Sequence, residues 1–421
     1  MTINISIIGG GVAGFCLAHA LLKHPEITFD IYEKHDEIRA IGQGLLLQST
    51  ARQSLRLMDP DLGSYPEEIG GAELKLWTVA MGEGPYRGQL SHQISYPKHE
   101  RPIGVDRTKL MSKLLQKIPK ERLHTGKRVT SVKDSLNSSK RYNIQFDDGT
   151  SLQTDAIIGA DGLRSYIRHL VIQEWPADKL VPRPSGLWDG RILIPAARAR
   201  ALLKDHISHP LTEGAVMLVG TKGNIYFSLH EDWEYAACIV AGWKEQTASS
   251  PWRFPLSAGF LDENFGDGWG MLGKGVKDTI LQLAEPEGFF EWDINPLPTF
   301  HKERMCLIGD AAHSAVPWLA AGATIGVEDA AILGALLNQV HSVSELNVAF
   351  AEFTATQIDR SHTLISNSRH TARNMVEGAS TIPAELARND RPLKDFLFDV
   401  DMKERIKVAV SSFLSKAGAR K

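Results

Sequence analysis

Hydrophobic residues near the start of the chain follow two different periods. Residues 3–8 read Ile-Asn-Ile-Ser-Ile-Ile, which predicts a buried strand, and residues 12–24 have helical spacing. Residues 27–33 alternate in polarity and predict a second strand. Strand, helix and strand in this order form a βαβ unit, with a right-handed crossover and parallel strands. The pattern therefore predicts an α/β fold with a Rossmann-like parallel sheet.

The rest of the chain continues this pattern but interrupts it once. Residues 175–300 are rich in Trp, Pro and Gly and indicate an inserted, mostly β domain. Strands are predicted at 156–158, 215–219, 225–229, 235–241 and 305–308, and a β-hairpin at 141–154. Helices are predicted at 50–58, 107–118, 322–340 and 345–375, with one or two more beyond 380.

A chain of 421 residues is too long for one ordinary core, so two packed domains are expected. The first domain is discontinuous and comprises residues 1–174 and 301–375. Residues 175–300 form the second domain, which we expect to bind the substrate, and residues 376–421 form a helical C-terminal tail.

Composition and charge exclude several functions. The net charge of -3 offers no general attraction to nucleic acid, and no apolar run is long enough to form an integral membrane segment. Cys16, Cys238 and Cys306 lie far apart, which speaks against a disulfide framework or a metal site. Met1 leads directly into a strand rather than a signal peptide. We therefore expect a cytoplasmic protein without a metal; the sequence leaves the oligomeric state open.

A glycine-rich turn joins the first strand to the first helix. Gly9-Gly10-Gly11-Val12-Ala13-Gly14 fits G-x-G-x-x-G, the pattern of a dinucleotide-binding loop. Gly9 permits the tight turn, Gly11 lets the backbone approach a pyrophosphate, and Gly14 permits close packing of helix on strand. Glu33, at the end of the second strand, is placed to accept hydrogen bonds from an adenosine ribose. A carboxylate there disfavours the 2′-phosphate of NADP.

Two aspartates follow later buried strands directly. Asp161 lies in Gly159-Ala-Asp-Gly-Leu-Arg-Ser165, and Asp310 lies in Gly309-Asp-Ala-Ala-His313. Ligands in open α/β sheets bind at the carboxyl ends of the strands, where both aspartates are expected. A helix beginning near Gly322 adds an N-terminus that favours electron-rich groups.

With these three motifs in this order, the chain resembles the group A FAD-dependent monooxygenases, which share the para-hydroxybenzoate hydroxylase fold. Within them it is most similar to the salicylate-hydroxylase-like enzymes of secondary metabolism. The resemblance covers residues 1–375 and implies noncovalent FAD, with NADH or NADPH as a transient co-substrate. It also implies that O2 forms a flavin C4a-hydroperoxide, which hydroxylates a small aromatic or enolic compound.

The resemblance also implies roles for individual residues. Arg107 contacts the phosphate and ribityl region, unless it merely pairs with Asp106, and Asp310 holds the ribityl chain. The first helical N–H groups after residue 321 lie near the pyrimidine edge of the flavin. The complete predicted FAD-binding set is Gly9, Gly11, Val12, Ala13, Gly14, Glu33, Lys34, Gly44, Arg107, Asp161, Gly162, Asp310, Pro317, Gly322, Ala323 and Thr324.

Two positions depart from the family pattern near the flavin. Ala320 stands where the family usually has glycine, and an alanine there requires an allowed φ. Trp318 makes this segment more apolar than usual. Two alternatives therefore stay open: an FAD-dependent oxidase, dehydrogenase or reductase without oxygen insertion, and a flavin-bound protein without net redox turnover.

Residues that line the substrate site are less defined by the sequence. Aromatic candidates are Trp188, Trp233, Tyr235, Trp243 and Trp318, although each one singly is more readily explained as ordinary core. Basic residues that could favour a phenolate are Arg191, Arg198, His206 and His230, and no spacing selects one of them. His313 is expected to be a packed, hydrogen-bonded histidine, and no catalytic residue is assigned.

Overall fold

The computed structural model describes residues 2–38, 44–134, 141–206, 214–229, 234–398 and 400–418. The predicted candidates Trp233 and His230 lie outside these residues. The strands of the described residues are β1 Ile3–Ile8, β2 Ile27–Tyr32, β3 Leu45–Leu47, β4 Ala72–Glu73, β5 Leu76–Met81, β6 Leu90–Ser95, β7 Ile103–Val105, β8 Leu123–His124, β9 Val129–Asp134, β10 Tyr142–Phe146, β11 Ser151–Thr154, β12 Ala156–Gly159, β13 Arg183–Pro195, β14 Gly214–Val219, β15 Gly223–Leu229, β16 Tyr235–Trp243, β17 Arg253–Pro255, β18 Glu287–Asp293, β19 His301–Lys302 and β20 Met305–Leu307.

The helices of the same residues are α1 Val12–Leu21, α2 Ser49–Met58, α3 Tyr65–Glu68, α4 Arg107–Leu115, α5 Ile167–Val171, α6 Ala196–His206, α7 Ala258–Phe265, α8 Gly270–Ile280, α9 Asp310–His313, α10 Gly322–Leu337, α11 Leu346–Glu377, α12 Pro383–Asp390 and α13 Met402–Gly418. Short 3-10 turns include Pro317–Leu319 and Arg391–Leu397. No helix in the described ranges combines the length and the apolar character needed to cross a membrane.

The first sheet has the strand order β19-β20-β12-β1-β2-β8 and contains the predicted βαβ unit. β1 is parallel to both β2 and β12, and β12 is parallel to β20. Its isoleucines are buried in one core with residues of α1 and α10 and of the small sheet that contains β9 and β10. The register pairs Ile8 with Gly159 and Gly159 with Leu307, so three strands end at the same level.

The second sheet has the strand order β17-β18-β13-β16-β15-β14-β5-β6. It contains the strand runs predicted within 175–300 and also β5 and β6, which precede residue 174. These two strands join because β5 pairs in parallel with β14, from Trp77 opposite Ala215 to Met81 opposite Val219. The predicted α/β fold with a further sheet and C-terminal helices is confirmed, whereas the domain limits remain a prediction.

Opposite faces of the second sheet serve different purposes. One face packs with α6, α7 and α8 around a core that includes Trp188 and Trp269. The other face, which we call the facing surface, includes Trp77, Met217 and Trp243 and packs against α11 and residues 316–318. Side chains alternate along each strand, so neighbouring residues of β13 belong to different layers. Leu163, which follows Asp161, packs against the core on the first of these faces.

Candidate functional site

The glycine loop connects β1 to α1 with little space to spare. Gly9 has a φ of 116°, and a methyl group there would overlap the carbonyl of Ala160. A methyl group on Gly14 would overlap the carbonyl oxygen of Gly9. Both positions therefore require glycine for the fold itself, as the sequence predicts for the turn and for the helix packing.

Gly11 is different, because the protein itself does not need a glycine there. Its φ of -93° and ψ of -175° are open to every residue. A methyl group on Gly11 would have no atom of the described residues within 4 Å. This open space adjoins the N-terminus of α1, where the first N–H groups have no intrahelical partner. The position is suited to a bound anion rather than to packing.

Glu33 closes the loop from the end of β2. Its Oε2 accepts a hydrogen bond from Gly10 N at 2.9 Å, and its Oε1 accepts one from His35 N at 3.1 Å. The carboxylate therefore fixes the loop as well as standing where the ribose is expected. Carboxylate oxygens accept more than one hydrogen bond each, so both roles are compatible. The neighbouring Lys34 is exposed.

Asp161 mainly organises its own turn. Its Oδ2 accepts from Tyr166 N at 2.7 Å and its Oδ1 from the hydroxyl of Ser165, which together shape the entry into α5. Burial raises the pKa of Asp161, even though these hydrogen bonds favour the charged form. Gly162 follows with a φ of 79°. The carboxylate is thus committed to the backbone, and a direct role toward a cofactor is a proposal.

Arg168 is the residue that the sequence analysis missed. It is fully buried and donates to the carbonyls of Ala311 at 2.8 Å, Asp310 at 2.9 Å and Leu163 at 2.9 Å. Burial lowers the pKa of this guanidinium to about 10, although Asp161 opposes the shift. Arg168 therefore joins the two aspartate motifs. In the sequence, Arg168 is marked only by its position three residues after Ser165, and this position does not indicate a function.

The Gly-Asp motif lies where β20 ends. Gly309 has a φ of 58°, and a methyl group there would lie 2.9 Å from the Cβ of Ala13 in α1. Gly326 of α10 also contacts Ala13, so small residues let α1, α10 and the motif approach one another. The Asp310 side chain is exposed at this junction. It lies at the predicted strand end, beside the glycine loop.

His313 is packed and hydrogen-bonded, as expected. Its Nε2 lies 2.6 Å from Oδ2 of Asp329, and both side chains are fully buried. Burial opposes a charge on the ring, but attraction to Asp329 outweighs it and raises the pKa of His313. Asp329 also accepts from Gly309 N at 2.8 Å and from Gln357 Nε2 at 2.7 Å. The histidine therefore supports the Gly-Asp motif from behind.

Residues 317–321, which we call the 317–321 loop, lead into α10. Ala320 adopts the left-handed conformation, with φ 48° and ψ 36°. The φ angle of this alanine therefore lies in the left-handed region, which favours glycine. Pro317 is exposed at the start of the loop, and the first turn of α10 begins with Gly322, Ala323 and Thr324. The Thr324 hydroxyl accepts from Gln48 N at 3.0 Å, which ties α10 to the start of α2.

Gly44 and Arg107 come together through a short ladder. β3 pairs with β7 so that Leu45 lies opposite Val105, which places the preceding Gly44 near Val105 and Asp106, just before Arg107 in the chain. Asp106 caps α4 by accepting from Lys109 N at 2.9 Å. Arg107 is half-buried at the first position of this helix. Its role toward a phosphate or ribityl chain remains a proposal.

The described residues fit FAD on three independent observations. Gly11 has open space before the N-terminus of α1, α10 offers a second helix N-terminus, and the carboxylate of Asp310 is exposed near both. A pyrophosphate suits the first N-terminus and an electron-rich ring edge suits the second. Hydroxyl groups between them would meet Asp310. A long cofactor with all three features matches this arrangement.

The aromatic candidates separate on the two faces of the second sheet. Trp188 is buried in the core beneath α7 and so does not lie on the facing surface, and Tyr235 is exposed at the start of β16. Trp243 and Trp318 do lie there. Trp77 and Tyr226, with ring centroids 5.8 Å apart, were not identified from the sequence. The strands of these two residues, β5 and β15, lie far apart along the chain, which hides their shared face.

Polar groups on this side include Arg191, one of the candidates proposed for a base, together with Asp189 and Glu291. Trp318 Nε1 donates to Glu291 Oε2 at 2.7 Å, and burial, with Asp189 nearby, raises the pKa of Glu291 well above its usual range. Arg191 is paired with Asp189 at 2.8 Å. Arg198 donates to the Gly275 carbonyl at 3.2 Å, away from the facing surface.

His206 is the remaining described candidate. Its ring stacks on Trp269 with centroids 6.4 Å apart, and burial lowers its pKa. Trp269 belongs to the core beneath α7 and α8. His206 therefore lies on the side of the sheet away from the 317–321 loop, and a role as catalytic base is not supported by this position.

The C-terminal segment covers part of the facing surface. Lys394 lies 5.3 Å from the ring centroid of Trp77 and is paired with the fully buried Asp390. His92 of β6 lies 3.3 Å from the same carboxylate. Three residues further on, Leu397 packs in one cluster with Leu319 of the 317–321 loop. The tail is therefore part of the site's surroundings.

Comparison with known proteins agrees with this geometry. Residues 283–345, which contain the Gly-Asp motif and the 317–321 loop, match the FAD binding domain family. The 6-methylsalicylate 1-monooxygenase of Aspergillus terreus is 26% identical over 98% of this chain and 92% of its own. An FAD-dependent monooxygenase of Phoma sp is 28% identical over 94% of this chain and 96% of its own.

Solved structures show the same fold. A salicylate hydroxylase substrate complex superimposes with a TM-score of 0.82 at 20% identity, covering 97% of this chain and 98% of the other. HpxO of Klebsiella pneumoniae, complexed with FAD and uric acid, gives a TM-score of 0.71 at 20% identity, covering 98% and 97%. The predicted fold class and the resemblance are confirmed. Roles of individual residues remain proposals.

Proposed function

We propose that this chain, which is similar in sequence and fold to FAD-dependent monooxygenases, uses NAD(P)H and O2 to hydroxylate a small aromatic or enolic compound. The names of its relatives, including 6-methylsalicylate 1-monooxygenase and salicylate hydroxylase, support the aromatic substrate class. A cytoplasmic location and a role in secondary metabolism belong to the same proposal.

One observation carries the proposal. The strands β1, β12 and β20 end in register, which brings the glycine loop, the Asp161 motif and the Asp310 motif to one edge of the sheet. The 317–321 loop extends from this edge to the facing surface, where Trp318 is hydrogen-bonded to Glu291. A cofactor held at the edge would thus end beside an apolar, aromatic surface. That is the arrangement a flavin hydroxylase needs.

The residues of this chain would bind, orient and shield. N–H groups at the start of α1 receive the pyrophosphate, Glu33 the ribose, and the first turn of α10 the pyrimidine edge. A bound FAD would supply the chemistry of hydride acceptance from NAD(P)H and of O2 activation. Trp77, Tyr226 and Trp318 exclude water from the substrate side. Glu291, whose pKa is raised by burial, holds the Trp318 indole by accepting a hydrogen bond from its Nε1.

The test begins with the absorption spectrum and ends with isotopically labelled O2. Purified protein is expected to be yellow and to oxidise NAD(P)H faster when a phenolic or polyketide-like substrate is present. The product should carry one labelled oxygen atom. Stimulated NAD(P)H oxidation without label in the product would contradict the proposal and favour an oxidase or a reductase. Yellow protein that NADH and NADPH both fail to reduce would indicate a flavin-bound protein without turnover.

A further inference from the structure

A cavity of about 320 Å³ lies between the start of β13 and the helix α11. Arg183, Arg369 and Arg373 are in its wall, together with His370 and Trp243. It lies apart from the glycine loop, and none of its residues belongs to the predicted FAD-binding set. Its volume is at the lower end of the range of small-molecule sites, about 300–1,000 Å³.

The wall of this cavity carries excess positive charge. Arg183 Nε lies 2.6 Å from Asp293 Oδ1, and Arg369 Nη2 donates to the same carboxylate at 2.7 Å. Arg373 and His370 are exposed and have no hydrogen-bond or ion-pair partner among the described residues. Two of the three guanidinium groups thus share one buried carboxylate, and the third, on Arg373, adds a further positive charge. A local excess of two positive charges is notable in a chain with a net charge of -3.

Nearby acids do not cancel this excess. Asp189 is already paired with Arg191, in a bidentate contact of 2.8 and 3.1 Å. Glu291 is buried beside it and accepts a hydrogen bond from Trp318, and neither Asp189 nor Glu291 is part of the cavity wall. The charge of Arg373 and the unused Nη1 of Arg369 therefore remain available to an anion. Arginine is well suited to phosphate because its planar donors bind two oxygens at once.

The cavity also adjoins the site. Trp243 lines the cavity and packs in the same hydrophobic cluster as Trp318 and Val316, next to the 317–321 loop. The indole Nε1 of Trp243 is buried and has no hydrogen-bond partner among the described residues. A flat ring system and a spare donor therefore stand between the arginines and the loop where the flavin ring would end.

We propose that this cavity binds the phosphate groups of the nicotinamide dinucleotide that reduces the flavin. The proposal rests on the proposed function, which requires such a dinucleotide. The glycine loop at 9–14 is taken by FAD, and we find no second glycine-rich βαβ unit in the sequence, so the dinucleotide needs another anion site. A pyrophosphate carries two negative charges, which match the excess in the wall.

A carboxylated substrate offers the same anionic chemistry, but its position would differ. A hydroxylated compound must be shielded from water beside the flavin, whereas Arg373 and His370 lie exposed at the rim of this cavity. A rim open to solvent suits a co-substrate that arrives, reacts and leaves. Dinucleotide titration and the KM for the organic substrate distinguish a nicotinamide dinucleotide from a carboxylated substrate.

The test compares Arg373→Gln and Arg373→Glu with matched changes at Arg388, an exposed arginine on α12 away from the cavity. Calorimetric titration of the FAD-loaded proteins with NAD⁺ and NADP⁺ measures dinucleotide binding without turnover. We expect Kd and the KM for NAD(P)H to rise about 5- to 20-fold for Arg373→Gln and more for Arg373→Glu, because a charge-assisted hydrogen bond is lost. The Arg388 variants should stay within about 2-fold, as expected for an exposed charge outside a site.

Three further readouts make the outcome decisive. Flavin absorbance and the KM for the organic substrate should be unchanged in the Arg373 variants. Dinucleotide affinity in the wild type should fall with added salt, and less steeply in Arg373→Gln. Unchanged dinucleotide binding in both Arg373 variants would overturn the proposal, and so would an effect confined to the organic substrate. A product without labelled oxygen would contradict the proposed function but not the dinucleotide site, since the titration does not depend on oxygen insertion.

Discussion

Replacing Gly11 with alanine should separate cofactor binding from folding. The backbone angles of Gly11 suit any residue, and a methyl group there has no described atom within 4 Å. Folding of the apo protein should therefore be unaffected or slightly improved. Gly→Ala substitutions at compatible positions stabilise by about 0.4–1 kcal/mol because the unfolded chain loses freedom.

FAD binding should respond in the opposite direction. A phosphate oxygen that accepts from the N–H groups of α1 must come within about 2.9 Å of nitrogen. A methyl carbon in the same space needs about 3.5 Å from that oxygen, so the pyrophosphate is displaced. Overpacking of this kind costs about 1–3 kcal/mol. FAD affinity should fall by about 5- to 150-fold, since each 1.4 kcal/mol is about tenfold.

Gly14→Ala is the matched control, because its methyl group would overlap the carbonyl oxygen of Gly9. That variant should lose stability as apo protein, by about 1–3 kcal/mol. Urea unfolding of apo protein and fluorescence titration with FAD measure the two effects separately. Wild-type FAD affinity in Gly11→Ala would refute the placement of the pyrophosphate. Equal destabilisation of the two apo variants would refute the claim that Gly11 faces open space.

Three further changes test the surroundings of the site. Ala320→Gly should stabilise the protein by about 0.5–1 kcal/mol in urea unfolding, because relief of about 1–2 kcal/mol of left-handed strain exceeds the cost of the added flexibility. Glu303→Gly, at another residue with a positive φ (52°), is the control away from the loop. An Ala320→Gly variant that is no more stable than the wild type would count against the strain. The stability of Glu291→Gln relative to the wild type should increase as the pH rises from 5 to 8. Because folding raises the pKa of Glu291, its contribution to wild-type stability is complete below about pH 4.5 and declines as the pH approaches the folded pKa. A stability difference between the two proteins that does not change with pH would contradict this. Arg168→Met should cost about 2–4 kcal/mol, because it leaves several buried carbonyls without donors, and a loss under 1 kcal/mol would show that water replaces the guanidinium.

The first sheet and its motifs were within reach of the sequence because their signals are local. Gly9, Asp161 and Asp310 each follow a short buried strand, and parallel strands bring their carboxyl ends to the same edge. The hairpin of β10 and β11 and the long helices α10 and α11 were likewise predicted from neighbouring residues. Strand order and the meeting of the three motifs then follow from the known fold.

The second sheet was harder because its pairings join distant residues. β5 pairs with β14 although Trp77 and Ala215 are far apart along the chain. The residues of neither strand indicate which strand it pairs with. For the same reason the facing surface could not be distinguished from the opposite face. Trp188, a plausible candidate by composition, belongs to the opposite core. Arg168 was missed because its contacts are to backbone carbonyls, which leave no residue pattern.

Ala320 and Trp318, the two departures from the family pattern, lie in one loop that is held by contacts on both sides. Left-handed alanine costs about 1–2 kcal/mol relative to an ordinary conformation, so neighbouring contacts must hold it. The Trp318 indole is fixed on one side by Glu291 of β18, and Leu319 packs on the other side against Leu397 of the C-terminal segment. The loop before α10 is thus held between the second sheet and the tail. Because N–H groups at the start of α10 depend on this loop, the position of the flavin ring would be set by contacts from three parts of the chain.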